Sequence, residues 1–111
     1  MISGDWGKFI GRLLAAKTAR SYLTKEACLE LLRKQNYKCA LTGVDLTCIL
    51  EKGFVRKTNV SIDRIDPKSG YVIHNIQLVC AAVNKFRVDT PIDEFIDWCK
   101  KVNDYAVQKQ K

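Results

Sequence analysis

With 111 residues, 47% of them hydrophobic and 28% charged, the chain is long enough for one modest core and too ordinary in composition to be disordered. Nineteen lysines and arginines against twelve acidic residues give a formal net charge of +7, which favours a polyanionic partner over an acidic-surface role. No apolar run approaches the roughly 20 residues needed to span a bilayer. Met1-Ile2-Ser3-Gly4-Asp5 lacks the charged-then-apolar layout of a leader, so an intracellular, cytoplasmic protein with no membrane partner is expected.

Residues 5–18 place Trp6, Phe9, Ile10, Leu13 and Leu14 at helical spacing, which predicts an amphipathic helix that Gly7 and Gly11 weaken. Lys8, Arg12, Lys17 and Arg20 could grip phosphates, but helix patterning alone reads them as a solvated face. Thr24 suits the N-cap of a second helix, with Leu23 stapled onto Cys28, Glu26 in the first turn, and Arg33 and Lys34 at the far end. Residues 44–60 read less clearly: Leu46 to Leu50 as short strand or loop, Glu51-Lys52-Gly53 as a turn, then the basic pair Arg56-Lys57. Val60, Ile62 and Ile65 around Asp63 form a short strand. Asp66-Pro67-Lys68-Ser69-Gly70 is a cluster of turn formers, Ile76 to Val79 a second strand, and Cys80 to Arg87 a breaker-free stretch that can turn helical. After it, Thr90 as N-cap, Pro91 at the first helical position and Asp93 open a last helix, about 91–107. Ile92, Phe95, Ile96, Cys99 and Val102 should form its packing stripe, with Gln108 to Lys111 frayed.

The five cysteines (Cys28, Cys39, Cys48, Cys80, Cys99) are odd in number and contain no Cys-x-x-Cys pair, so reduced thiols are expected rather than a disulfide framework.

Strand, turn, strand and helix over residues 61–87 carry polar residues at their joints: Asp63, Asn75 and Asn84. In order, Asp63, Ile65, Pro67, Asn75, Gln77, Leu78, Asn84 and Lys85 resemble the HNH motif of the ββα-metal nuclease superfamily, which reads Asp-His-Ile-x-Pro, Asn-hydrophobic-Gln-Leu, then His or Asn before Lys. Upstream, Gln35 to Gly43 is similar to the knuckle that precedes the hairpin in many members. The resemblance covers roughly the central half of the chain and departs at one position, Arg64, where the family carries its general-base histidine. It implies an α+β fold in a single domain: a ββα-metal core at about 37–88, two helices before it and one after.

The same resemblance implies a metal-dependent endonuclease or nickase that hydrolyses duplex DNA, like small phage-encoded members. One divalent cation, Mg2+ or Mn2+, would be held by the Asp63 carboxylate and the Asn84 carbonyl, a pair of hard oxygens that water completes. Asn75 would orient the base. A structural zinc is not expected, because Cys39 and Cys80 each lack a second knuckle cysteine and two thiolates do not fill a tetrahedral site; the two should lie together in the core. Arginine stays protonated and cannot take a proton from water, so Arg64 would clamp the scissile phosphate. The base is then Asp66 or metal-bound hydroxide, ahead of His74, unless the site is inactive. Arg56, Lys57, Lys68, Lys85 and Arg87 are the expected DNA contacts. The alternative is a catalytically degenerate DNA-binding protein or a protein-interaction module on the same fold.

Overall fold

The computed structural model describes residues 5–110. The leader-free reading of residues 1–5 falls, apart from Asp5, outside them. Helix α1 (Trp6–Ala15) begins behind Asp5, whose carboxylate accepts the Lys8 N–H at 3.0 Å. It ends at Ala15 rather than 18. A carbonyl of its last turn, that of Leu13, is instead taken at 2.6 Å by Arg20, which a single 3-10 turn (Thr18–Arg20) brings back. Helix α2 (Lys25–Lys34) is capped as expected, with Thr24 Oγ1 accepting the Ala27 N–H at 3.1 Å. Gln35 then bonds outward in an unforeseen way. Its amide accepts from Leu78 N–H at 3.0 Å and donates to Leu78 O at 2.9 Å, which pins the end of α2 to the later hairpin as a further strand would.

The stretch that was hard to read forms a small antiparallel ladder, β1 (Leu50–Glu51) with β2 (Phe54–Val55), closed by Gly53 at φ +71°, where a side chain would be strained. The buried Asn59 ties this segment to the core. Its amide holds Ile49 N–H at 3.0 Å, Ile49 O at 2.8 Å and the Thr47 hydroxyl at 2.7 Å. Next come β3 (Val60–Arg64) and β4 (Ile76–Cys80), antiparallel with Ser61 opposite Val79 and Asp63 opposite Gln77, and α3 (Ala81–Arg87) packs against both. The expected hairpin and helix are present, and the chain is α+β. Ile10, Cys28, Leu32, Cys48, Val60, Ile62, Leu78 and Val79 fill one core shared by α1, α2 and the hairpin. Cys39 and Cys80 meet in it, with Cys80 N–H donating to Cys39 Sγ at 3.3 Å, and all five cysteines are free thiols. Burial pushes Cys39 toward the thiol, yet hydrogen bonds from the Thr42 side chain and from the backbone of Cys80, Leu41 and Thr42 outweigh it and hold its pKa below the ordinary thiol value.

Helix α4 (Ile92–Lys109) departs from expectation in two ways. Pro91, not Thr90, is its N-cap, because Thr90 belongs to the preceding turn: its N–H bonds Arg87 O at 3.0 Å and its carbonyl accepts from Arg87 Nε at 2.7 Å. Its apolar stripe is also covered only at its start. Ile92 is half-buried and Phe95 packs against the core, but none of its residues is fully buried and Ile96, Trp98, Cys99 and Val102 face outward, so the packing role expected of this helix is met only in its first turns. Among the described residues no helix is long and apolar enough to cross a membrane.

Candidate functional site

A cleft of about 280 Å3 opens where β3, α3 and the turns after α1 and α3 converge, and it collects Asp63, Arg64, Asn84 and Lys85. Alternation along β3 buries Val60 and Ile62 on one face. Ser61 and Asp63 occupy the other, toward α3. Asp63 is only 5% exposed, and one of its oxygens is committed. Oδ2 forms a buried ion pair with Arg87 Nη1 and accepts from Gln77 Nε2 at 2.9 Å, whereas Oδ1 accepts no hydrogen bond among the described residues. Asn84 is oriented the same way: its Nδ2 donates to Ser61 Oγ at 2.6 Å, and its carbonyl oxygen takes no donor among the described residues. The cleft is thus lined by two side chains each keeping one oxygen open. That donor set fits a hard divalent cation, which accepts two protein oxygens and keeps its remaining positions for water. No group of three or more His, Cys, Asp or Glu side chains that could hold a metal occurs among the described residues.

Arg87 must be corrected. It was expected to touch DNA, but it is 1% exposed and its guanidinium is spent on Asp63, on the carbonyls of Arg64 (2.8 Å) and Ile65 (3.0 Å), and, through Nε, on Thr90 O. A cation so enclosed holds the end of β3 against α3; it cannot meet a phosphate. Asn75 is likewise buried and structural. Its amide donates to Asp66 O at 3.1 Å and Gly70 O at 2.9 Å and accepts from Asp66 N–H at 3.0 Å, so it fixes the backbone of the 66–70 turn and orients no base side chain. The Asp66 carboxylate caps that turn, accepting from Lys68 N–H at 2.9 Å and Ser69 Oγ at 3.2 Å. It lines an adjoining groove of about 830 Å3 with Lys68 and the start of α4, a larger space that shares Arg64, Pro67 and Asp89 with the cleft but contains neither Asp63 nor Asn84. His74 lies in a short 3-10 turn (Ile73–Asn75), exposed and not among the residues that line the cleft.

Arg64 does line the cleft, 3.7 Å from the exposed Asp89 carboxylate and with its guanidinium 5.0 Å from the centre of the Tyr71 ring. Lys57 and Lys68 are exposed outside the cleft, and Arg56 pairs with Glu51 across the small ladder. Tyr71, Val88 and Asp89 escaped the sequence reading of the site, and Lys17 and Arg20, read there as a solvated helix face, line the cleft as well. Ser61 and Gln77, which set the two open oxygens, had a legible signal, since Ser61 lies two residues before Asp63 on the same strand face. A comparison with protein-family models finds no match, and comparisons with curated proteins and with solved structures find none either.

Proposed function

We propose that this chain is a metal-dependent endonuclease or nickase of the HNH type that hydrolyses phosphodiester bonds in duplex DNA. The observation that carries the reading is the pair of open oxygens, Asp63 Oδ1 and Asn84 Oδ1, in one cleft flanked by Arg64 and Lys85. A Mg2+ or Mn2+ ion held there would supply the positive charge that stabilises a phosphorane-like transition state and its leaving oxygen. The protein supplies the rest. Gln77 and Arg87 fix the Asp63 carboxylate, Ser61 turns the Asn84 amide, and Arg64 offers a guanidinium fork to the non-bridging oxygens. Lys85 adds charge at the rim. Of the carboxylates, Asp89 is better placed than Asp66 to receive the proton of the attacking water, because it lines the cleft and its contact with Arg64 is loose.

A second reading has its own support. Neither Asp66 nor His74 lines the cleft, so an HNH-like protein that binds DNA without cutting it fits the same charges. A supercoiled plasmid incubated with Mg2+ or Mn2+, with and without EDTA, separates the two. Metal-dependent nicking that Asp89→Asn lowers at least tenfold is expected. Intact plasmid together with salt-sensitive DNA binding would assign the second reading. Calorimetric titration of manganese into Asn84→Ala should show weakened binding at unchanged folding; unaltered affinity would remove Asn84 from the metal site.

A further inference from the structure

Arg20 is the least expected member of the cleft. The 3-10 turn after α1 carries it in, and it is 6% exposed. Nη1 bonds Leu13 O at 2.6 Å, while Nε has no partner among the described residues. An arginine cannot shed its proton to escape burial, so a guanidinium enclosed with an idle N–H calls for an acceptor. Its Cζ lies 5.2 Å from the centre of the Tyr71 ring, and the Cζ of Arg64 lies 5.0 Å from the same centre. One tyrosine therefore steadies two like-charged forks through its π-system. Lys17 and Lys85 line the same space. Against these four cations stand Asp63, whose charge Arg87 already meets, and Asp89.

We propose that Arg20, Lys17 and Arg64, arranged about Tyr71, form a phosphate seat beside the two open oxygens. The N-terminal helix and its turn then take part in binding through a group that the nuclease-like motif does not contain. A tetrahedral phosphate suits the seat, since the guanidinium N–H groups of Arg20 and Arg64 not taken by Leu13 O and Ser69 O can donate to its oxygens and a lysine can neutralise the remaining charge. That the phosphate belongs to a DNA backbone rests on the reading proposed above; the seat itself does not.

The test uses the whole chain in EDTA, so that metal plays no part, with inorganic phosphate and a short duplex as separate probes. Arg20→Gln should weaken inorganic phosphate by about tenfold and lower the slope of duplex affinity against salt by about one. Arg20→Lys should keep the slope and lose part of the affinity. A purely structural Arg20 would lower the melting temperature of Arg20→Gln and leave the folded variant's phosphate affinity and slope unchanged, which overturns the proposal. Should Arg20→Gln not fold, Lys17→Gln, at an exposed position, decides: an unchanged slope and phosphate affinity overturn it equally. Phosphate binding lost with the duplex slope intact would overturn the assignment to DNA. An Arg20-dependent slope in a protein that never nicks plasmid would refute the hydrolytic reading alone and leave the seat standing.

Discussion

Replacing Arg87 with methionine keeps much of the side chain's volume and removes its charge and all of its hydrogen bonds. In the folded protein that leaves the nearly buried Asp63 carboxyl group without its guanidinium partner, and leaves the carbonyls of Arg64, Ile65 and Thr90 short of a donor. Breaking a buried ion pair from one side costs about 3–5 kcal/mol, a large share of the roughly 5–15 kcal/mol that holds a domain of this size together. At about 4 °C per kcal/mol for a chain of this length, the melting temperature should fall by roughly 12–20 °C. Thermal unfolding followed by circular dichroism reads this directly. Arg87→Met/Asp63→Leu should recover part of the loss, because a hydrophobic pair in place of a buried ion pair is close to neutral. Duplex binding, corrected for the folded fraction, should keep its salt slope, since Arg87 never meets solvent. A melting temperature within a few degrees of wild type, accompanied by a salt slope lower by about one, would refute the buried-pair assignment and return Arg87 to the DNA-binding surface.

Three further outcomes follow from particular contacts. Asn75→Ala should destabilise the chain by about 2–3 kcal/mol and raise amide exchange selectively in residues 66–70, the turn its side chain holds; uniform exchange would contradict that role. Val88, a β-branched residue at φ +53° after α3, stores strain, so Val88→Gly should stabilise by about 1 kcal/mol in urea unfolding, and a loss of stability would deny the strain. Burial pushes the Cys28 thiol up against the opposing charge of Arg20, and burial with a contribution from Asp5 pushes Cys48 up. A raised thiol pKa gives stability that is complete below the ordinary thiol range near 8.5 and declines as the pH rises beyond it. Cys39, whose pKa is lowered, acts in the opposite sense. Cys28→Ala should therefore flatten the alkaline loss of stability; an unchanged alkaline limb would exclude this source.

The elements were most legible where local chemistry dictates them. The Asp66–Gly70 turn formers between two apolar runs specify a hairpin, and Thr24 ahead of a helical stripe specifies α2. Helix α4 shows the limit of that kind of reading. Periodicity says which of Phe95, Ile96, Trp98, Cys99 and Val102 share a face, but not whether anything lies against it. The Thr90-to-Pro91 shift in its cap has a different origin, because Thr90 is claimed by Arg87, three residues earlier, in the turn that closes α3.

The cations separate what sequence can reveal from what it cannot. Judged by nearness to the motif, Arg87 ranked with Lys85 as a surface contact and Arg20 ranked with a solvated helix face. Arg87 had a contrary signal that was available. It lies three residues after Asn84, hence on the same side of α3, and if Asn84 faces the hairpin then Arg87 must face it too, one turn on, where β3 presents Asp63. Phe86 falls on the opposite side and is exposed, and Lys85, between the two faces, is exposed at the rim of the cleft. The same periodicity that places the open oxygen of Asn84 in the cleft thus requires a buried arginine behind it, and the carboxylate that arginine neutralises is the one whose other oxygen remains open. Arg20 carries no comparable signal. Its position depends on where a short turn after α1 lands against Tyr71, far along the chain, and only the assembled fold brings the two together.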